Sequence, residues 1–351
     1  MDAVEEIRTR VRLTEYGVKN VHSSDFPGNY QGYDDAWDKR KFERNFKVEI
    51  IRLTKDELEF DMIGIDAAIA NAFRRILLAE VPTMAIEKVH IHNNTSIIQD
   101  EVLAHRLGLV PIAADPRMFE YRQPGADDAG TEEDTLEFKL KVKCTKNPAA
   151  RETSDPDQMY RDHRVTTKYL EWVPRGNQAN LGNIGPVHED ILLAKLRPGQ
   201  ELDLRLFCMK GVGKDHAKFS PVATASYRLL PEIKLLRDVE GLDAERLQQC
   251  FSKGVIGISR DERTGRKKAY VADARQDTCS REVMRHDDLK TAVKLSRVRD
   301  HFIFSVESTG VLPAEVLVTE AVRVLQTKCL TLLRDLEQPA AATESKQQGK
   351  I

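Results

Sequence analysis

The sequence has few cysteines, few aromatics, no long apolar run and no excess of either charge. Its five cysteines are Cys144, Cys208, Cys250, Cys279 and Cys329. They are odd in number and far apart, which argues against a disulfide framework and against a paired-cysteine zinc site. A reducing compartment fits them best. No stretch of about 18 apolar residues occurs, and the N-terminus MDAVEEIRTR has no apolar signal region. The expectation is a soluble, non-secreted protein with no membrane partner. The sequons in Asn93-Asn94-Thr95-Ser96 carry no meaning without secretion. Lys and Arg total 54 against 56 Asp and Glu, a net charge of −2. A protein that grips DNA through its own surface usually carries a basic excess. Any nucleic-acid role is therefore expected to be indirect.

The chain of 351 residues is long enough for about two domains. Apolar patterning persists through most of it, so its high charge content is not a sign of disorder. Residues 1–45 are polar and rich in turn formers, yet they hold Tyr16, Phe26, Tyr30, Tyr33 and Trp37. Those aromatics predict a segment that orders against a partner or against its own fold. Phe46, Val48 and Ile50 alternate. After the turn Thr54-Lys55-Asp56-Glu57, so do Leu58, Phe60 and Met62. Period two on both sides of a polar turn predicts a β-hairpin with one buried face.

A helix follows from Asp66 to Val81. Asp66 is expected to cap it, and Pro82 to end it. Ile65, Ile69, Ala72, Phe73, Ile76 and Leu77 form an apolar stripe at helical spacing. Leu78 falls on the opposite side of the wheel from Ile69, flanked by Asn71, Arg74 and Arg75. The helix thus has two faces able to make contacts.

From Val89 to Tyr227 short strands alternate with turn-rich, acidic loops such as Asp127-Asp128. Leu136, Phe138, Leu140 and Val142 read as one strand, and Leu202, Leu204, Leu206 and Cys208 as another. A short helix is expected between Gln99 and Leu109, with Asp100 as its cap. Arg260 to Lys268 reads as a surface loop turning at Thr264-Gly265. A later strand carries Phe302, Phe304 and Val306. A long helix starts near Pro313, with the stripe Val318, Ala321, Val322, Leu325, Cys329, Leu332, Leu333 and Leu336. Pro339 is expected to end it.

Three local patterns suggest chemistry and fail in detail. Lys210-Gly211-Val212-Gly213-Lys214-Asp215 lacks the hydroxyl that a phosphate loop needs for magnesium, and Asp215 would repel phosphate. A glycine-rich connection between strands is the better reading. His90, His92 and His105 are candidate metal ligands, but no further ligand completes a site, and exposed polar positions account for them. His216 and Ser220 have no third member of a catalytic set. No catalytic, metal or cofactor site is expected.

Three segments resemble a known family. Asn71-Ala72-Phe73-Arg74-Arg75-Ile76-Leu77-Leu78-Ala79-Glu80-Val81-Pro82 looks like the alpha motif of RNA polymerases. The run from Asn93 through Gln99-Asp100-Glu101 to His105-Arg106-Leu107-Gly108-Leu109-Val110-Pro111-Ile112 is similar to eukaryotic and archaeal alpha-like subunits. So is Lys214-Asp215-His216-Ala217-Lys218-Phe219-Ser220-Pro221-Val222. The likeness spans about Phe46 to Leu336. Gly17 to His22 and Asp25 to Tyr30 resemble the larger alpha-like subunit shared by RNA polymerases I and III. The cysteine clusters that hold zinc or iron–sulfur in other members are missing, so no metal is carried over.

The resemblance implies an α+β fold: an alpha-type dimerisation domain, a sheet with two long helices, interrupted by an inserted mixed α/β domain. Expected boundaries are 1–45 for an extended N-terminal segment, 46–88 and 229–338 for the dimerisation domain, 89–228 for the insert, and 339–351 for a polar tail. It implies a non-catalytic assembly subunit that pairs with a smaller alpha-like subunit. The expected interface is Ile69, Ala72, Phe73, Ile76 and Leu77 with Val318, Ala321, Val322, Leu325 and Leu332. Arg74, Arg75 and Leu78 are expected to dock the second-largest polymerase subunit, with the largest subunit as a further partner. Nucleus and nucleolus follow from the same family.

Overall fold

The computed structural model describes residues 3–22, 30–34, 36–123, 125, 130–149, 155–260 and 265–337. The expectations for Asp25 to Asn29, Asp127-Asp128, Thr264, Pro339 and the polar tail lie outside these residues. The fold is α+β.

In chain order the first elements are α1 (Ala3–Thr9), β1 (Arg10–Leu13), β2 (Val18–Lys19) and α2 (Lys39–Asn45). The N-terminal segment is therefore more than an extended arm. Then come β3 (Lys47–Leu53), β4 (Glu57–Ile63), α3 (Ala67–Ala79), β5 (Pro82–Asn94) and α4 (Asp100–Gly108). The middle of the chain supplies β6 (Thr135–Lys143), β7 (Glu171–Val173), β8 (Glu201–Val212) and β9 (Val222–Leu235). The last part supplies α5 (Leu242–Gln249), β10 (Ile256–Arg260), β11 (Lys267–Val271), β12 (Val293–Ser308) and α6 (Ala314–Glu337).

The chain divides into two compact units. The first comprises Met1–Arg52, Glu59–Asn71 and Ser226–Ser305. Its sheet has the order β2-β1-β12-β4-β3, and β9 also pairs with β12. β1 runs antiparallel to β12, with Arg10 opposite Val298 and Leu13 opposite Leu295. Val11 and Leu13 are the buried residues of β1. Polar contacts hold the rest of this segment: the Arg10 guanidinium meets Glu232 at 2.9 Å, and Lys294 pairs with Glu6. Leu13, Leu247, Val255, Val283, Leu289 and Leu295 belong to one buried cluster. Phe60 stacks on Phe304 at 5.1 Å. Each such side chain contributes roughly 1.5–3 kcal/mol by leaving water.

Among the described residues two carboxylates of this unit are buried, Asp61 and Asp277. Asp61 is buried and accepts from Arg275 Nη1 and from His301 Nε2, each at 2.7 Å. Arg275 Nη2 also donates to Glu59 at 2.7 Å. Burial pushes the Asp61 carboxyl up, but the bonds from Arg275 and then His301 outweigh it and hold the group below its ordinary range.

The second unit comprises Leu53–Leu58, Ala72–Ala225 and Val306–Ile351. Its main sheet has the order β7-β6-β8-β5. Leu136, Phe138, Leu140 and Val142 alternate into its core, as do Leu202, Leu204, Leu206 and Cys208. Leu103 and Leu107 of α4 join the same cluster. Lys139, Lys141 and Lys143 alternate outward and are exposed. This is the half-buried pattern the sequence predicts. Asp100 is a correction. It is the first helical residue of α4, and its carboxylate accepts from Asn94 Nδ2 at 2.7 Å instead of capping the helix. Asn94 organises that turn, because its side chain also donates to the Ile98 carbonyl and accepts from Ser96.

Candidate functional site

The helix α3 forms where the sequence places it. Asp66 Oδ1 accepts from the Ala68 amide at 2.7 Å, which satisfies a first-turn donor. At the other end the Glu80 and Val81 amides both donate to the Ile76 carbonyl, and Pro82 opens β5. Of the stripe, Ile65, Ile76 and Leu77 are buried within the chain. Ala72 and Phe73 are half-buried, and Ile69 is exposed. On the second face Arg75 is exposed, while Arg74 and Leu78 are half-buried. Gly213 lies so close to this end of the helix that a Cβ there would stand 2.2 Å from the Leu78 carbonyl oxygen.

The helix α6 is more lopsided. Ala314, Leu317 and Ala321 in its first two turns are buried. Val318 and Leu325 are half-buried. Beyond that point the apolar stripe faces solvent: Val322 is 45% exposed, Leu332 63% and Leu336 80%. Leu333 and Cys329 lie on the same stripe and are exposed. Lys328 Nζ meets the Glu80 carboxylate at 2.8 Å. Twenty-four residues make a helix of roughly 36 Å. A helix draws most of its stability from packing an apolar face, and among the described residues the apolar stripe in the far half of this one is left exposed.

The hairpin expectation holds for β4 and fails for β3. Leu58, Phe60 and Met62 are buried, but all seven residues of β3 are exposed. The reason is position, since β3 is an edge of its sheet. Val48 and Ile50 point to one face, and Ile51 and Leu53 to the other. Sequence reasoning missed this surface. The available signal was the adjacent Ile50-Ile51, which makes a strand apolar on both sides, as in strands covered twice.

The chemical candidates are not assembled. His105 stands beside His216, with ring centres 6.5 Å apart, instead of joining His90 and His92. His216 Nδ1 accepts from the Lys218 amide, while the Ser220 hydroxyl donates to the Val222 carbonyl. In the glycine-rich run, Lys210 Nζ donates to the Phe119 carbonyl at 2.8 Å, and burial pushes its ammonium down from the ordinary value. Gly211 gives room to the Phe219 ring, since a Cβ would stand 2.6 Å from it. The run therefore serves close packing between strands. The three consecutive basic residues Arg266, Lys267 and Lys268 each meet a carboxylate: Arg266 faces Glu240 at 3.8 Å, Lys267 pairs with Glu245, and Lys268 meets Asp238 at 2.7 Å. Arg260 and Lys267 sit opposite each other at the end of the β10–β11 hairpin, where a loop was expected.

The exposed apolar groups that stand out are Ile69 on α3 and the edge strand β3 in the first unit and, separately, the far half of α6 in the second. Residues 59–329 match the RNA polymerase Rpb3/Rpb11 dimerisation domain. The chain belongs to the RNA polymerase Rpb3/Rpb11 dimerisation family. It is 65% identical to a Mus musculus protein named DNA-directed RNA polymerases I and III subunit RPAC1, over 95% of this chain and 97% of that one. The Saccharomyces cerevisiae protein of the same name is 49% identical over 89% of this chain and 93% of its own. An Arabidopsis thaliana protein named DNA-directed RNA polymerases II, IV and V subunit 3 is 33% identical over 82% and 90%. For this member of the dimerisation family, the expected interface residues sort by burial. Ile76, Leu77 and Ala321 serve the chain's own core. Ile69, Val322 and Leu332 are the most exposed of them.

Proposed function

We propose that the chain is the larger alpha-like assembly subunit of DNA-directed RNA polymerases I and III. It is non-catalytic and takes no cofactor. Its α+β dimerisation domain is interrupted by the inserted segment 89–228. It pairs with a smaller alpha-like subunit through Ile69, Ala72 and Phe73 of α3 and through Val318, Val322, Leu325 and Leu332 of α6. Ile76, Leu77 and Ala321 back that surface from inside. Arg74, Arg75 and Leu78 dock the second-largest subunit, and the largest subunit completes the assembly. DNA is reached only through these partners. The polymerases it joins make ribosomal RNA precursors and small RNAs such as 5S rRNA and tRNA, in the nucleus and nucleolus.

The observation that carries this reading is the solvent-facing stripe of α6 in a chain of the dimerisation family. Burying the parts of Val322, Leu332, Leu333 and Leu336 that face solvent would together gain roughly 4–7 kcal/mol. Obligate interfaces of this apolar kind commonly bury 2,000 Å² or more. The choice of polymerases I and III rests on identity, 65% against 33% for the relative named for polymerases II, IV and V.

Co-expression with the smaller alpha-like subunit tests it. The wild-type pair is expected to co-elute as a one-to-one complex on size-exclusion chromatography. Phe73→Asp and Leu332→Asp are each expected to abolish the complex, because a charge would be buried without a mate. Full recovery of the complex with both variants would overturn the assignment.

A further inference from the structure

The two main sheets end in the strands β2, β3 and β9 in the first unit and β5 and β7 in the second. An open edge offers unpaired N–H and C=O groups to any passing strand, and folds usually guard it. β2 has two residues and β7 has three, too few to template a partner. β9 carries Pro231, which has no N–H to give. β5 lies against α4, and the turn at residues 217–219 covers its start. There Thr83 Oγ1 donates to the Phe219 carbonyl and Lys218 Nζ to the Ile86 carbonyl. β3 is different. It has seven residues, no proline and, among the described residues, no strand on its outer side.

Two hydrogen bonds fix which groups of β3 are open. The Thr54 amide donates to the Glu57 carbonyl at 2.8 Å across the β3–β4 turn. The Gly64 amide donates to the Asp300 carbonyl of β12 at 2.8 Å. Even residues of β4 thus serve β12, and its odd residues serve β3. Alternation along an antiparallel pair then commits Val48, Ile50 and Arg52 to β4. The N–H and C=O groups of Lys47, Glu49 and Ile51 point away from the sheet. Val48, Ile50 and Ile51 are each at least half exposed, so the middle of the strand is apolar on both faces. The charges along it alternate in sign, Lys47, Glu49 and Arg52. Such a pattern selects a strand of the opposite pattern instead of repelling every strand.

We propose that the open edge of β3 is a strand-addition site for an extended segment of another polypeptide. The main chain itself is what is recognised, and side chains set the register. The matching segment has aliphatic residues opposite Val48, Ile50 and Ile51, a cation opposite Glu49, and acids opposite Lys47 and Arg52. A second copy of this chain meets that requirement poorly. In a two-fold antiparallel pair, opposed side chains share a face, so residues of the same parity meet. Centred on Ile50, the pair sets Glu49 against Ile51 and Val48 against Arg52. Centred on Ile51, it sets Ile50 against Arg52. A centre at Val48 does pair Lys47 with Glu49, but it sets Ile51 against Asn45, the last residue of α2. The site is independent of the heterodimer reading, because it uses none of the residues assigned there.

The test uses the purified full chain and a fluorescein-labelled peptide, followed by anisotropy. The peptide is the antiparallel complement of residues 47–52, Glu-Val-Val-Lys-Val-Glu. One derivative carries N-methyl groups on the backbone nitrogens opposite Ile51 and Glu49, which face β3. Another carries them opposite Ile50 and Val48, on nitrogens that face away. The parent peptide is expected to bind. The first derivative loses about tenfold or more, and the second stays within about twofold of the parent. Ile51→Lys, at an exposed position, weakens the parent by about tenfold and leaves the melting temperature near the wild-type value. Glu49→Lys weakens the parent and strengthens a peptide with Glu in place of its Lys. Leu332→Asp leaves binding unchanged, which separates this site from the dimer surface. No binding by the wild type, equal loss with both derivatives, or indifference to Ile51→Lys and Glu49→Lys would overturn the proposal. So would a dimer of the free chain in sedimentation that Ile51→Lys disperses, since the edge would then belong to a second copy.

Discussion

Replacing Arg275 by alanine should be among the most destabilising single changes in the first unit. The Asp61 side chain is 5% exposed and that of Arg275 is 17% exposed. Removing the guanidinium leaves Asp61 with His301 as its hydrogen-bond partner, and Asp61 Oδ1 already has no partner. Breaking a buried pair from one side costs about 3–5 kcal/mol. The Glu59 bond adds little, because that carboxylate is a third exposed. We therefore expect a loss of about 3 kcal/mol, read by urea denaturation of the full chain with circular dichroism. In a cycle with Asp61→Asn, the double variant should lose less than the sum of the singles by about 1–3 kcal/mol. The sign with pH follows from the carboxyl. Its folded value lies below its ordinary 3.8, so its contribution is fully present above that value and fades as pH falls through the folded one. The gap between wild type and Asp61→Asn should accordingly shrink on acidification below about pH 4. A loss under about 1 kcal/mol for Arg275→Ala, with strict additivity in the cycle, would refute the cluster as a stabilising unit.

Two further outcomes are expected. Gly213→Ala should lower the melting temperature by several degrees, since its Cβ would collide with the Leu78 carbonyl, a backbone atom that cannot swing away. Arg75→Ala should leave the heterodimer intact and reduce incorporation into the polymerase core, seen as weaker co-purification of the second-largest subunit. Unchanged incorporation would remove Arg75 from that contact.

Much of the architecture was legible because it rests on local chemistry. The Asp66 carboxylate, the Pro82 ring and the alternation through Leu136–Val142 each act over a few residues, and each does in the fold what its type predicts. What escaped was set by long-range placement. Val48 and Ile50 alternate like a buried face, but nothing in their own segment reveals that β3 ends up at a sheet edge. Asp100 has the chemistry of a cap, yet Asn94 from the preceding strand claims its carboxylate. The three histidines looked like a cluster by spacing, while His105 is carried on α4 toward His216. The helix α6 shows the same limit from the other side. Its stripe was plain in the sequence, but only the fold divides it into a buried first two turns and an open remainder. The placing of Lys139 between Glu171 and Arg205 could not be read at all, because register between β7, β6 and β8 is a property of the assembled sheet.

The open strand β3 has a consequence for how the protein is supplied in a cell. A strand with unpaired backbone on one side and isoleucines on both faces is a template for adding further strands. A copy made in excess of its partner would carry that template and the bare leucines of α6 into the surrounding protein pool. Solubility then becomes a matter of stoichiometry, with matched synthesis of the partner, or prompt removal of the surplus, doing what the fold leaves undone.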